Sequence, residues 1–277
     1  MGDTRLDHVA LAVWRWSDAR SALVDRLGAR FLGGVRMAEY SPCQLGFGNG
    51  MRVELLEPGT DRASFLARFL DRSGAGPHHV TFKVDDIRVA IKRARDAGLQ
   101  IVRERLDNPS WQEAFLHPRS TGIGFVIQLA QADINPGSAM AAAPGAVSPA
   151  DSGLVPAAAD DAGDPPEPAS IPFFTATVRD LGNATALLTE VLHGQATGGR
   201  SDGGVRYREV SWQADTARIV LTESTDDSPA AIPPAGIQAL AVTADAPPGF
   251  PAESHLDGWD VTPVIPELGI RLLTKPR

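Results

Sequence analysis

Two histidines, a glutamate and a glutamine stand at matching places in a repeated pattern, and together they form a donor set for a metal ion. His8 lies in Leu6-Asp7-His8-Val9-Ala10-Leu11-Ala12-Val13, and His79 in Pro77-His78-His79-Val80-Thr81-Phe82-Lys83-Val84. Glu54 lies in Met51-Arg52-Val53-Glu54-Leu55-Leu56, and Gln128 in Phe125-Val126-Ile127-Gln128-Leu129. His79 follows His8 by 71 residues and Gln128 follows Glu54 by 74. Two matching pairs at nearly one offset indicate a duplicated unit. Two imidazoles, a carboxylate and an amide oxygen suit one divalent ion of the Zn, Ni, Co, Fe or Mn type. Such an ion would polarise a carbonyl or enolate oxygen. One histidine on a strand is more often a hydrogen-bonded structural residue, and a glutamate in Val-Glu-Leu-Leu faces solvent by default. The equivalence of the four positions carries the metal reading. His78 points to the other face of its strand and, with His117, is expected outside the site.

These residues need strands that bring alternate side chains onto one face. Each unit supplies the same order of elements. An apolar strand (6–13 or 78–84) is followed by a helix. Ser17 or Asp18 caps the first helix, Ala19, Leu23 and Leu27 recur at helical spacing, and Gly28 stops it. Asp85 or Asp86 caps the second, Ile87, Ala90, Ile91 and Ala94 form its face, and Gly98 ends it. Strands follow near 30–37, 43–47 and 51–57, and near 100–105, 112–117 and 123–130. Gly48-Asn49-Gly50 marks a hairpin, and Thr121-Gly122 is read as a similar turn.

The segment 131–169 is Ala-, Pro-, Gly-, Ser- and Asp-rich, without aromatic or basic residues, and reads as a flexible linker. It separates a metal-binding domain, 1–130, from a second, 170–277. The second repeats the plan more faintly. A strand at 173–178 precedes a helix capped by Asn183, with Ala184, Leu187, Leu188 and Val191 on its face. Strands at 207–212 and 217–222 follow, then 237–243 and 270–274. Ala246-Pro247-Pro248-Gly249 stands where the last unit's helix should begin. The fold class is α+β: four β-α-β-β-β units, the last degenerate, in two domains. The positions equivalent to His8, Glu54, His79 and Gln128 fall near Phe173, Val220, Ala239 and Leu273, so the second domain lacks metal ligands.

Composition bounds the partners. The net charge of −8 argues against nucleic acid. No apolar run reaches the length of a membrane span. The start, Met1-Gly2-Asp3-Thr4-Arg5, lacks a secretory pattern. The single cysteine, Cys43, fits a reducing compartment, and a cytoplasmic location is expected. Only Lys83, Lys92 and Lys275 are lysines among 26 basic residues, a bias typical of high-GC bacteria.

The runs Asp7-His8-Val9-Ala10, Val53-Glu54-Leu55-Leu56-Glu57-Pro58, Gly76 to Asp86 and Phe115 to Gly122 resemble methylmalonyl-CoA epimerases, members of the vicinal oxygen chelate (glyoxalase-like) superfamily. The resemblance covers about residues 5–130. It implies paired β-α-β-β-β units forming a metal cup, with His8, Glu54 and His79 as ligands. Epimerases of this type carry a carboxylate at the Gln128 position, as ligand and base, and some another near Gln44. Both are amides here, and an amide cannot accept a proton. Gln128 keeps an oxygen for a metal, and Gln44 stays a candidate for the catalytic site. Glu113, on a neighbouring strand, is the candidate replacement base. The expected function is a metal-dependent isomerase, epimerase or lyase acting on a small carbonyl or thioester substrate through a metal-stabilised enolate. The alternatives are a small-molecule binding protein of the bleomycin-resistance type and a non-haem iron dioxygenase. Arg68, Arg72, Arg103 and Arg105 are the candidates for binding the phosphates of a CoA thioester. The chain is expected to be a homodimer or a monomer whose second domain acts as an internal pseudo-partner.

Overall fold

The computed structural model describes residues 4–61, 63–132, 140–155, 167–202, 204–212, 217–224, 235–243, 255–256 and 259–274. Among them, sixteen strands form two eight-stranded sheets with one order of connection. The first sheet contains β1 (Thr4–Ala12), β2 (Arg30–Gly34), β3 (Tyr40–Gly46), β4 (Arg52–Pro58), β5 (Gly76–Val84), β6 (Ile101–Arg105), β7 (Gln112–Leu116) and β8 (Val126–Gln131). Its order is β2-β3-β4-β1-β5-β8-β7-β6, two four-stranded units meeting at β1 and β5. The second contains β9 (Ser170–Thr177), β10 (Gln195–Asp202), β11 (Val205–Ser211), β12 (Arg218–Ser224), β13 (Gly236–Thr243), β14 (His255–Leu256), β15 (Trp259–Val261) and β16 (Arg271–Thr274). Its order, β10-β11-β12-β9-β13-β16-β15-β14, repeats the first. The α+β class and the four-unit plan expected from the sequence are present.

The repeat extends to single hydrogen bonds. Val13 N donates to Leu56 O at 2.9 Å, and Val178 N donates to Thr222 O at 2.8 Å. The donors lie five residues beyond His8 and Phe173, and the acceptors two beyond Glu54 and Val220. In the parallel pairs β5–β8 and β9–β12, Thr81 faces Gln128 and Thr175 faces Val220. Phe173 and Val220 are therefore counterparts of the ligand candidates, and neither donates to a metal.

Local signals explain most elements. Asp86 accepts from the backbone of Arg88 and Val89, and the α-helix α2 (Ile87–Asp96) buries Ile87, Ala90, Ile91 and Ala94 as its periodicity predicts. The first unit's helix is broken into a 3-10 turn, Trp16–Ala19, and a π-helical segment, Arg20–Asp25. The chain then turns through Gly28, whose φ is 66°. Asp180, not Asn183, caps the helix Leu181–Ala186: its side chain accepts from Asn183 N at 2.8 Å. Asn183 thus lies inside the first turn.

Four other features differ from the sequence reading. A helix, α1 (Phe65–Ser73), capped by Ser64, buries Leu66 and Leu70 against Ala10, Ala12 and Leu56. Its nine residues offer too few apolar repeats to stand out in the sequence. β10, of sequence QATGGRSD, pairs with β11 despite its polar, Gly-rich composition, with a bulge between Thr197 and Gly199. Ladder hydrogen bonds, not side-chain pattern, decide this strand. Thr121-Gly122 ends a one-turn helix, Pro118–Thr121, rather than making a hairpin turn. Part of the 131–169 segment is ordered. Arg36 N donates to Gly145 O, Val147 N donates to Gly34 O, and Leu154 is fully buried. Residues 145–147 thus find hydrogen-bond partners in the backbone at and just beyond the end of β2. The Ala246–Gly249 stretch lies outside the described residues.

The chain groups into two compact units. One holds Met1–His8, His79–Asp133 and Pro172–Ala241; the other holds Val9–His78, Ile134–Ile171 and Val242–Arg277. Within the first, Phe82 packs on Trp212 with ring centroids 4.9 Å apart, and Arg93 donates to Val191 O at 3.0 Å. Within the second, Gly48 N donates to Ala169 O, and the Asn49 amide bonds both backbone groups of Ile171. Among the described residues, no helix is long and apolar enough to cross a membrane.

Trp16 is fully buried; its indole donates to Ser41 O at 3.0 Å, and the Arg36 guanidinium lies 3.7 Å from its ring centroid. Trp16→Ala is expected to lower unfolding free energy by about 3–5 kcal/mol in urea denaturation. A loss below about 1 kcal/mol would show that Trp16 does not anchor this end of the sheet.

Candidate metal centre

His8 on β1, Glu54 on β4 and His79 on β5 are buried, and their ligand atoms lie within 4.8 Å of one another. It is the group of this kind found among the described residues. The His8 and His79 rings meet edge to face with centroids 5.9 Å apart. Period-two alternation sets His79, Thr81 and Lys83 on one face of β5. The register puts Thr81 opposite Gln128, Phe115 opposite Gln128 on the far side, and Gln44 opposite Glu54. All four expected donors therefore belong to one sheet and are buried.

Hydrogen bonds orient the neutral donors. His8 Nδ1 lies 2.8 Å from Asp7 Oδ2. A carboxylate only accepts, so a hydrogen sits on Nδ1, and in the neutral imidazole Nε2 keeps a lone pair. Gln128 Nε2 donates to Glu113 Oε2 at 2.7 Å, which turns Gln128 Oε1 toward Thr81. Thr81 Oγ1 donates to Gln128 Oε1 and lies 2.9 Å from His8 Nε2. Two acceptor atoms thus converge on a hydroxyl that has one hydrogen, an arrangement that suits a cation. Gln44 adds a second sign. Its side chain is fully buried, and neither its amide nitrogen nor its oxygen has a hydrogen-bond partner. Burying such a group without a partner costs about 1–3 kcal/mol, which a bound ion or ligand would offset. The residues present fit a divalent metal.

Glu113 is buried on β7, and it also accepts from the Trp111 indole at 3.0 Å, with Arg105 Nη1 3.5 Å from its other oxygen. Phe115 stands where Gln44 stands in the first unit, and its ring meets His79 edge to face at 5.9 Å. His78 lies on the other face, against Phe65 and Phe69 of α1. Burial pushes its pKa down to about 4, with the Glu54 charge opposing. His117 caps the turn Pro118–Thr121 by accepting from Arg119 N. Burial and the Glu54 charge push the Cys43 thiol well up, so it stays neutral. Arg68 and Arg72 lie on the exposed side of α1, and Arg103 on β6 with Arg105.

Sequence reasoning missed Asp7, Thr81 and Lys83. The available signal was placement: Thr81 and Lys83 follow His79 by two and four on one strand face, and Asp7 adjoins His8.

A methylmalonyl-CoA epimerase from Bos taurus is 36% identical over 134 residues, 46% of this chain and 74% of that protein. The sequence profile described as Glyoxalase/Bleomycin resistance protein/Dioxygenase superfamily matches residues 7–115. The chain belongs to this superfamily. The uncharacterized protein YqjC of Bacillus subtilis is 31% identical over 130 residues, 46% of this chain and 91% of that protein. Among solved structures, a mutant of 4-hydroxymandelate synthase from Streptomyces coelicolor superposes with a TM-score of 0.63. It is 17% identical and covers 89% of this chain and 72% of that one. At that identity the likeness speaks for the fold alone, and it covers 89% of this chain.

Gln44→Leu removes the unpartnered amide at similar volume. It is expected to stabilise the metal-free protein by about 1 kcal/mol or more in denaturant titration. A destabilised variant would mean that the amide is satisfied within the fold.

Proposed function

We propose that the chain is a metal-dependent isomerase, epimerase or lyase that moves a proton next to the carbonyl of a small carbonyl or thioester substrate. The observation that carries this reading is the buried His8–Glu54–His79 group, with the Gln128 oxygen bonded to the Thr81 hydroxyl that also contacts His8. His8, Glu54, His79 and Gln128 would hold the ion. A divalent metal, when bound, supplies Lewis-acid polarisation of a substrate carbonyl oxygen. The relative from Bos taurus bears the name of a CoA-thioester epimerase, which makes CoA thioesters the first substrates to test.

Gln44, buried opposite Glu54, would contact substrate through its amide. Glu113 is the carboxylate proposed to take the proton. It is the charged group bonded to Gln128, and amides at 44 and 128 cannot take a proton. Trp111 and Gln128 hold its carboxylate in place, so that it need not reorganise when it acts. We further propose that residues 1–130 and 170–277 act as two domains, the second an internal partner without ligands. A binding protein of the bleomycin-resistance type is the second reading, favoured by amides at Gln128, where epimerases of this family carry a carboxylate, and at Gln44, near which some carry another.

Deuterium incorporation at the substrate α-carbon tests the reading. Purified protein loaded with Co or Zn is incubated in heavy water with methylmalonyl-CoA and with small α-hydroxy carbonyl compounds, and exchange is followed by mass spectrometry. The expected result is metal-dependent exchange that His8→Ala/His79→Ala abolishes and Glu113→Gln lowers by about 10²–10⁴-fold. Tight substrate binding without exchange would overturn the enzyme reading in favour of a binding protein. Oxygen consumption with iron would replace it with dioxygenase chemistry.

A further inference from the structure

We propose that Asp7, backed by Lys83, is a positioning residue that presents His8 to the metal; this rests on the metal-site reading above. Asp7 and Lys83 are both buried. One Asp7 oxygen lies 2.8 Å from His8 Nδ1, and the other lies 3.9 Å from Lys83 Nζ. A buried carboxylate–ammonium pair is costly to desolvate and adds little net stability compared with apolar packing. Its retention in a sheet interior therefore calls for another role. The geometry supplies one: the Asp7 carboxylate accepts the Nδ1 hydrogen of His8, fixes the ring plane, and leaves the Nε2 lone pair facing Thr81 and the other donors. Carboxylates that hold the outer nitrogen of a metal-binding histidine raise its donor strength and fix its tautomer.

The repeat gives an internal control. At the counterpart of His8 in the second sheet, Phe173 is preceded by Pro172, and the counterpart of Lys83, four residues after Ala239 on β13, is Thr243. Where the imidazole is absent, so are the carboxylate before it and any charge at the Lys83 place. His79, in the same sheet as His8, is preceded by His78, which packs on Phe65 and Phe69 instead. The residue before His79 thus does not take the part that Asp7 takes beside His8.

The test uses the full chain stripped of metal. Co(II) affinity is measured by competition with a chromophoric chelator for wild type, Asp7→Asn, Asp7→Glu and Lys83→Met. Long-range 1H–15N correlation of the imidazoles in the metal-free wild type reads the His8 tautomer. The expected result is His8 protonated at Nδ1, and a 10–100-fold loss of Co(II) affinity in Asp7→Asn. Asp7→Glu, which keeps the carboxylate, should recover part of that loss, and Lys83→Met should weaken binding less than Asp7→Asn does. Equal affinity in wild type and a folded Asp7→Asn would overturn the proposal. If Asp7→Asn fails to fold, the wild-type spectrum decides alone: His8 protonated at Nε2 and not at Nδ1 would overturn it. Absence of Co(II) binding by the wild type would instead bring down the metal-site reading itself, a separate outcome.

Discussion

The site depends on β1 and β5 being neighbours at the centre of the first sheet. Each strand carries one histidine, and alternation sends that histidine to a defined face. Joining the two repeats at these strands brings together side chains 71 residues apart in sequence. The next strands out, β4 and β8, carry Glu54 and Gln128 and complete the set. A slip of one residue in either pairing would turn its donor to the opposite face, so register is the constraint that the chemistry requires. The shared hydrogen bonds Val13–Leu56 and Val178–Thr222 show the same register in both sheets.

The two sheets spend that register differently. In the first, buried polar groups form a chain from Lys83 through Asp7, His8, Thr81 and Gln128 to Glu113. In the second, the counterparts Phe173 and Val220 are apolar and buried. Polar groups in a sheet interior cost stability unless each finds a partner. The first sheet meets much of that cost with hydrogen bonds, and the buried Gln44 amide is one place where it does not.

The donor orientations follow from the same chain. Asp7 accepts the N–H of an imidazole and Glu113 that of an amide, and in each partner the opposite atom then lies beside Thr81. Glu113 is itself fixed by the Trp111 indole. Neutral donors have two possible orientations, and only their neighbours select one. A carboxylate placed behind each removes that ambiguity before any ion arrives.

Much of this was legible in the sequence. The duplicated offset of His8 with His79 and Glu54 with Gln128 pointed to the unit, its strands and the four candidate donor positions, because strand periodicity and repetition are properties of the chain itself. The α2 cap at Asp86 and its buried face were equally local. Other features were decided only by tertiary structure. The polar strand β10 exists because β11 offers a ladder, and residues 145–147 find backbone partners at and just beyond the end of β2. The contacts of Asp7 with Lys83, Thr81 with His8 and Gln128 with Glu113 depend on which strands become neighbours, as does the isolation of the Gln44 amide. The sequence determined which residues repeat and which face they share. Only the folded sheets decided which atoms of those residues converge, since side-chain orientation is set by neighbours that are distant in the chain.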